Sequence, residues 1–352
     1  MNRIKKLTAG KKVAAVFGLI IGATVALLLS IILILHVVTP IVASDFFANS
    51  NNEYVTPGIY DGLVPQGYAY VGENDIILQC GYMADGVSAS RIYVTNASDP
   101  SDTFYVELYT EDGQPYTGHT GGITSAFNYV WLCNDEEGDD NCVWVLSLHD
   151  LNSKDGRVIL KKRFQTESRA ACCFVDGVYL WVGEFYDGVD YKTKDTHSFV
   201  VDGEENNALV FAYSLNIGNT DYGIDYGEID GVKYFTPALA LSVPDLLQGF
   251  CKTNDGRFVL SASYGVKASY LYFYSDVTSG EADSSIKVND KDVPVYFLDD
   301  EALTKSVLMP PMSEEIFLKD GKIYVLFESA SQKYVYGNFT HGIYTFSYNF
   351  KE

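Results

Sequence analysis

Two distant segments of this chain resemble each other, and this internal repeat restricts the fold more than any other feature. The segment QGYAYVGENDIILQCGYM begins at Gln66, and the segment QGFCKTNDGRFVLSASYG begins at Gln248. Further units begin near residues 170 and 314, and a looser one begins near residue 119, so five units follow one another at a mean spacing of roughly 60 residues. A unit of this length is one supersecondary structure that buries its apolar face against the next copy.

Each unit contains two apolar, strand-like runs that are joined by a tight polar turn. Asp-Gly pairs occupy the turn at residues 176–177, 255–256 and 320–321, and this pair is typical of a β-hairpin. Tyr and Phe occur 27 and 20 times, and aromatic side chains favour strands. Strand-rich units of this size indicate an all-β fold, a β-propeller with five blades. A propeller of six blades is the alternative, if the looser stretch 278–309 contains a further blade.

The propeller geometry predicts where polar side chains of different blades meet. In each blade, the start of the first strand and the end of the second lie on the face of the disc opposite the turn. Glu184 and Glu328 fit this geometry, because each lies seven residues after a turn glycine, Gly177 or Gly321. We therefore predict a ligand-binding site at one mouth of the central channel, formed by Gln66, Tyr82, His119, Glu184, Gln248, Tyr264, Glu314 and Glu328.

Each of these residues also has a structural interpretation. The glutamates could cap strands or pair with a neighbouring Lys or Arg, and Gln66 and Gln248 could close turns. His119 lies in the glycine-rich turn YTGHTGG, where a histidine is often structural. The polar insertion 187–207 leaves from the same face of the disc, and it is either a lid over the mouth or a tolerated surface insertion.

An uncharged apolar run near the N-terminus predicts a single-pass membrane anchor. Residues 13–38 are 26 residues without a charge at neutral pH, long enough to cross a hydrocarbon core of about 30 Å. Five basic residues and no acid precede this run, and they favour a cytoplasmic N-terminus. The predicted order is a cytoplasmic tail (1–12), a transmembrane anchor (13–38), a stalk (39–62) and an extracytoplasmic propeller domain (63–352). A cleaved signal peptide ending near Ala43 is the alternative.

The charge balance argues against an anionic polymer as the partner. The chain has 46 acidic and 25 basic residues, and its net charge is −21 at pH 7. Such a domain would repel nucleic acid, whereas it would accept sugars and cations, calcium among them. No sequence motif assigns a catalytic residue, a metal ligand or a cofactor.

The six cysteines suit disulfide chemistry outside the cytoplasm better than a zinc site. No C-x-x-C spacing occurs, which disfavours zinc. Cys133 and Cys142 flank an acidic loop between two apolar runs, at the neck of one predicted hairpin. We therefore predict a disulfide between Cys133 and Cys142.

Several short stretches carry a resemblance to a known group of proteins. YTGHTGGI, WVGEFY, LSASYG, PPMSEEI and LFESASQKY resemble a family of membrane-anchored exported β-propeller proteins of Gram-positive bacteria, to which no activity is assigned; the resemblance covers residues 60–335. A more distant resemblance is to propellers of the gluconolactonase and calcium-dependent phosphotriesterase type, which hold one divalent metal at the channel mouth. Their first metal ligand is a Glu before Gly-Pro. This chain has Gln66-Gly67-Tyr68 there, so no metal ligand is carried over.

These features together predict ligand binding at the cell surface. Tyr rings stack on sugar faces, and Gln and Glu side chains bond to hydroxyl groups, so a sugar or a cell-wall-derived ligand fits the predicted mouth. One alternative is a hydrolase or lactonase that uses a metal or a carboxylate pair. The other is a scaffold for envelope proteins, which would present an apolar patch on its side. The sequence leaves open whether the protein is an enzyme.

Overall fold

The structure, a computed structural model, describes residues 9–134, 141–153, 155–334 and 340–347. Residues 1–8 of the predicted cytoplasmic tail lie outside this described part. Two helices come first, α1 (Ala9–Val42) and α2 (Ser44–Ala48). Strands and short 3-10 turns make up the regular structure of the described residues that follow.

The strands are named in chain order. Within the described residues they are β1 (Ser50–Val55), β2 (Leu63–Val71), β3 (Ile76–Met83), β4 (Arg91–Asn96), β5 (Thr103–Tyr109), β6 (Ile123–Ala126), β7 (Tyr129–Asn134), β8 (Cys142–Ser147), β9 (Arg157–Ile159), β10 (Arg163–Gln165), β11 (Cys172–Val175), β12 (Tyr179–Gly183), β13 (Phe199–Val201), β14 (Glu204–Asn206), β15 (Ala208–Ser214), β16 (Gly227–Ile229), β17 (Val232–Tyr234), β18 (Leu239–Val243), β19 (Leu247–Lys252), β20 (Phe258–Ala262), β21 (Ser269–Tyr274), β22 (Ser284–Val288), β23 (Lys291–Phe297), β24 (Leu303–Met309), β25 (Ser313–Lys319), β26 (Lys322–Phe327) and β27 (Gly342–Ser347).

Five sheets of four or more strands form the blades of a propeller. From the inner strand outward they are β2-β3-β4-β5-β9 (blade 1), β6-β7-β8-β10 (blade 2), β11-β12-β15-β18-β23-β22 (blade 3), β19-β20-β21-β24 (blade 4) and β25-β26-β27-β1 (blade 5). The inner strands β2, β6, β11, β19 and β25 contact one another in that order, and β25 returns to β2. The predicted five-bladed propeller is therefore confirmed.

The alternative of a sixth blade is wrong, because the stretch 278–309 joins two existing blades. β22 and β23 extend the outer edge of blade 3, where β23 pairs parallel to β18. β24 is the outermost strand of blade 4 and pairs antiparallel to β21. The looser sequence of this stretch reflects its outer position, where one side of each sheet faces solvent.

The ring is closed by the N-terminal strand, within the segment that was predicted as a stalk. β1 pairs antiparallel to β27, from Ser50 with Phe346 to Val55 with Gly342. Its sequence is polar because it is the edge strand of blade 5, with most of its side chains exposed. The preceding helix α2 buries Phe46 completely, and its ring stacks on that of Phe346 at 6.0 Å. Residues 44–55 are thus part of the propeller.

The centre of the disc is tightly packed and contains the buried carboxyl group of Glu315. Glu315 on β25 accepts hydrogen bonds from the backbone N–H groups of Tyr68 (2.6 Å), Ile123 (3.0 Å) and Cys173 (2.9 Å), on the inner strands of blades 1, 2 and 3. A Cβ added to Gly249 would lie 2.5 Å from the Cα of Glu315. Glycine is therefore required there, since the backbones of β19 and β25 touch. We call this packed centre the hub.

The predicted disulfide between Cys133 and Cys142 is wrong, because the register of the hairpin separates the two side chains. Cys133 pairs with Val143, and Cys142 pairs with Asn134. The two cysteines are therefore one position out of register, and their side chains point to opposite faces of blade 2. Both are buried, and their sulfurs are not joined in a disulfide.

Helix α1 is long and apolar enough to cross a membrane. Its stretch Gly10–Val42 has a mean hydropathy of 2.8 in its most apolar window, and the side chains of that window are exposed. A signal sequence near an N-terminus has the same properties. The membrane anchor therefore stays a prediction, with a cleaved signal peptide as the alternative.

Candidate functional site

A cavity of about 430 Å³ lies at the mouth of the propeller opposite the tight turns. We call it the mouth cavity. Seven of the eight predicted site residues line it: Gln66, Tyr82, His119, Gln248, Tyr264, Glu314 and Glu328. The sequence repeat therefore predicted correctly that residues of blades 1, 4 and 5 and of the loop before blade 2 meet at one place.

Three of these side chains reach the cavity through β-bulges at equivalent positions. The pairing of β2 with β3 shifts between Pro65 and Gly67, which leaves Gln66 as the extra residue. The same shift occurs around Gln248 on β19 and around Glu314 on β25. A bulge re-aims the extra residue away from the regular alternation of the strand. Each inner strand in question therefore presents a polar side chain at its start.

The floor of the mouth cavity contains two carboxyl groups in contact. Glu314 is buried and forms a side-chain hydrogen bond with Glu328, and Nε2 of Gln66 donates to Oε2 of Glu328 at 2.8 Å. Burial raises the pKa of Glu328 to about 8, against the opposing effects of Gln66 and Lys333. Burial and the charge of Glu328 raise the pKa of Glu314 well above its usual range. We call Glu314 and Glu328 the carboxyl pair; such a contact requires a shared proton.

One wall of the cavity combines an aromatic ring with a cation. Nζ of Lys333 lies 2.7 Å from the hydroxyl oxygen of Tyr82 and donates to it. The ring of His119 lies 5.0 Å from the ring of Tyr82. Burial, together with the charges of Lys333 and Arg169, lowers the pKa of His119 to about 4, so its imidazole is neutral at pH 7.

Glu184 is the predicted site residue that does not line the cavity. It follows β12, as Glu328 follows β26, but its carboxylate is buried against the insertion 187–207. It accepts hydrogen bonds from the backbone N–H of Leu209 (2.9 Å) and lies 2.7 Å from Nδ1 of the buried His197. Glu184 thus fixes the insertion to blade 3.

The insertion 187–207 is held against the propeller and forms part of the cavity wall. Nδ2 of Asn206 donates to the backbone carbonyls of Ser242 (3.2 Å) and Leu298 (3.1 Å). Tyr191 of the insertion lines the cavity, and its ring packs against that of Phe185 at 5.3 Å. These contacts give the insertion a defined position at the mouth.

Sequence reasoning missed several residues that complete the lining. They are Phe185, Tyr191, Ser263, Met312, Lys333 and Tyr334. Most lie in irregular loops after the second strands, where no periodic pattern indicates direction. Ser263 had a signal, because it occupies the place in blade 4 that Glu184 and Glu328 occupy in theirs.

The described residues contain no group of three or more His, Cys, Asp and Glu side chains arranged to hold a metal ion. The mouth cavity offers two carboxyl groups, and they bond to each other and to Gln66. This donor set is smaller than the six to eight oxygens that calcium takes. The sequence-based suggestion of calcium stays a prediction.

The buried acids predict that the protein becomes less stable as the pH rises from 5 to 8.5. Glu315 and Glu328 have pKa values of about 8 in the folded protein, and the pKa of His197 is raised beside Glu167 and Glu184. These groups outnumber His119, whose lowered pKa has the opposite effect, so the folded state binds more protons than the unfolded state over this range. Each such group contributes stability that is full below its unfolded pKa and is lost as the pH passes its folded pKa.

This loss amounts to roughly 1.4 kcal/mol per pH unit for each titrating group. Melting temperatures measured by circular dichroism at pH 5, 6, 7 and 8.5 should fall steadily. A melting temperature that stays constant or rises over this range would contradict the expected titration of the buried acids.

The fold and the site define a five-bladed β-propeller with a packed hub and a polar cavity at one mouth. No protein-family model matches the sequence, and no curated protein matches it either. The resemblance to the Gram-positive family therefore stays a prediction.

Solved structures with weak similarity to this chain include two enzymes and a WD40 domain. The PQQ-bound aldose sugar dehydrogenase of Streptomyces coelicolor is 12% identical, with a TM-score of 0.40 over 79% of this chain and 78% of that one. The exo-β-1,3-galactanase of Phanerochaete chrysosporium with galactose is 13% identical, with a TM-score of 0.44 over 79% and 60%. The WD40 β-propeller domain of Doa1 is 12% identical, with a TM-score of 0.35 over 81% and 78%. These values are too low to support an inference about activity.

Proposed function

We propose that this chain is a single-pass membrane protein whose propeller lies outside the cytoplasm and binds a hydroxyl-rich ligand in the mouth cavity. The ligand class is a sugar or a fragment derived from the cell wall. The observation that carries the proposal is the convergence of Gln66, Gln248 and Glu314 from three bulged inner strands on one cavity. Their amide and carboxyl groups both donate and accept hydrogen bonds, as sugar hydroxyls do.

The aromatic side chains of the cavity support the same ligand class. Tyr82, Phe185, Tyr191, Tyr264 and Tyr334 line it together with the polar floor. Flat rings offer apolar faces on which a sugar ring can lie, while polar groups at the floor fix its orientation. A volume of about 430 Å³ is within the range of small-ligand sites.

The spacing of the carboxyl pair favours binding over glycoside hydrolysis. Glycosidases separate their two carboxyl groups by about 5 Å or more, so that the glycosidic bond or a water molecule fits between them. Here Glu314 and Glu328 are in hydrogen-bond contact. The carboxylate-dependent hydrolase therefore has less support than a binding protein.

Isothermal titration of the purified propeller with neutral and acidic sugars and with cell-wall fragments tests the proposed ligand class. We expect saturable binding to at least one of them, and we expect Gln248→Ala to weaken it by about tenfold through loss of a polar contact. Ser285→Ala, at an exposed position of the outermost strand β22 of blade 3, is the control and should leave binding unchanged. Absence of binding across the panel, or turnover of a panel member, would overturn the proposal.

The membrane topology has its own test. Protease added to intact cells that express the full chain should remove the propeller, because the basic residues before the apolar run 13–38 favour a cytoplasmic N-terminus. Recovery of the domain in the medium without protease would instead indicate signal-peptide cleavage. Complete protection in intact cells, with digestion after lysis, would refute the extracytoplasmic location.

A further inference from the structure

The floor of the mouth cavity differs chemically from one of its walls, and this difference specifies the ligand further; the inference rests on the proposed function. The floor holds the carboxyl pair and Gln66, whose donors and acceptors suit hydroxyl groups. The wall holds Lys333, the one Lys or Arg among the described residues that line the cavity.

The hydrogen-bond and ring partners of the Lys333 ammonium group are neutral, and its charge acts on Glu328 without an ion-pair contact. It donates to the hydroxyl of Tyr82, and it lies 4.6 Å from the centre of that ring and 5.3 Å from the centre of the Tyr334 ring. No carboxylate among the described residues forms an ion pair with it, although the chain has 46 acidic residues. The carboxyl pair bonds within itself and to Gln66 instead. The cation is therefore placed to meet an acid that arrives with the ligand.

The side chain of His119, on the same wall, has a nitrogen atom that can bond to a ligand. Nδ1 of His119 is enclosed and has no hydrogen-bond partner in the described structure. Its ring contacts that of Tyr82, the residue to which Lys333 donates. The positive charges nearby and the burial keep its pKa low, so a neutral ring presents this nitrogen at pH 7.

We propose that the ligand is an acidic sugar, whose carboxylate pairs with Lys333 while its hydroxyl groups bond to the carboxyl pair and Gln66. A lysine ammonium is a point charge with three donors, so it accepts a carboxylate in many orientations. The carboxyl pair does not oppose this arrangement, because two carboxyl groups in contact hold at least one proton between them.

Titration calorimetry at pH 7 with matched pairs of sugars tests this inference. The pairs are glucuronate with glucose, and N-acetylmuramate with N-acetylglucosamine. The acidic member of at least one pair should bind about tenfold more tightly or better, as expected for a charge-assisted hydrogen bond. Lys333→Met keeps the aliphatic stem and removes the charge, so it should abolish this preference by weakening the binding of the acidic member far more than that of the neutral one.

Lys267→Met is the matched control, because Lys267 is exposed and lies two residues after the cavity residue Gly265. It should retain the preference for the acid. Equal affinity for both members of each pair, or equal weakening of both by Lys333→Met, would overturn the inference and leave the proposed function standing. If none of the four sugars binds but another ligand of the wider panel does, the inference of an acidic sugar fails and the proposed function stands. If nothing in the wider panel binds, the proposed function fails with it.

Discussion

Replacing Glu315 by leucine is expected to lower the free energy of unfolding by about 5 kcal/mol, because each buried N–H group left without an acceptor costs roughly 1–3 kcal/mol. The Glu315 side chain is 1% exposed, and it accepts the N–H groups of Tyr68, Ile123 and Cys173 from three other blades. Leucine has a similar size but no acceptor. The loss should appear in chemical denaturation followed by tryptophan fluorescence.

Glutamine at the same position should give an intermediate loss of about 2 kcal/mol, since its amide oxygen replaces one of two acceptor atoms. The amide oxygen can accept the hydrogen bonds of Tyr68 and Ile123, which both go to Oε2 in the wild type. The NH2 group then faces the N–H of Cys173, which loses its acceptor. Glu301→Gln is the control, because Glu301 is exposed, and it should change stability by less than about 0.5 kcal/mol. Equal stability of the leucine variant and the wild type would refute the role of the hub.

The repeat made most of the site predictable because a propeller places equivalent sequence positions at equivalent points in space. Gln66 and Gln248 are the first residues of two similar repeat units, and both line the mouth cavity. Glu328 was placed by counting from the turn glycine of its own unit. The bulges that aim these side chains were not predicted, since a one-residue insertion in one strand leaves no mark in the alternation of a short apolar run.

Glu184 shows where the equivalence of blades stops. Its backbone position matches that of Glu328, but the insertion 187–207 supplies His197 as a partner inside blade 3. The direction of a side chain at a strand end depends on such tertiary contacts, which a single sequence does not specify. The same limit applies to Tyr191, which enters the cavity from the insertion, and to Lys333, which enters it from the short 3-10 turn Gln332–Tyr334.

The disulfide prediction was wrong because a single sequence does not specify the register of a hairpin either. Two cysteines at the neck of a hairpin are close in any register, but they share a face only when they are paired directly or two positions apart. In the observed register of β7 and β8, Cys133 pairs with Val143 and not with Cys142. Proximity along the sequence was therefore not enough to predict a bond.

Replacing Glu328 by glutamine is expected to weaken ligand binding by about 100-fold or more with little cost to stability, provided that the mouth cavity is the binding site. Glutamine keeps the size of the side chain but cannot share a proton with Glu314, and its amide nitrogen competes with the donor Nε2 of Gln66. The floor that bonds to the ligand is thereby rearranged.

The effect on stability should change with pH, and this separates a ligand-binding role from a structural one. The carboxyl of Glu328 has a pKa of about 8, so in the wild type it resists ionisation as the pH rises, whereas glutamine has no charge to form. The melting temperature of Glu328→Gln should therefore match that of the wild type at pH 6 and exceed it at pH 8.5, while Glu301→Gln should follow the wild type at both. A variant that melts lower at both pH values and still binds the ligand would show that Glu328 is a structural residue. Retained stability together with lost binding would place the ligand on the carboxyl pair.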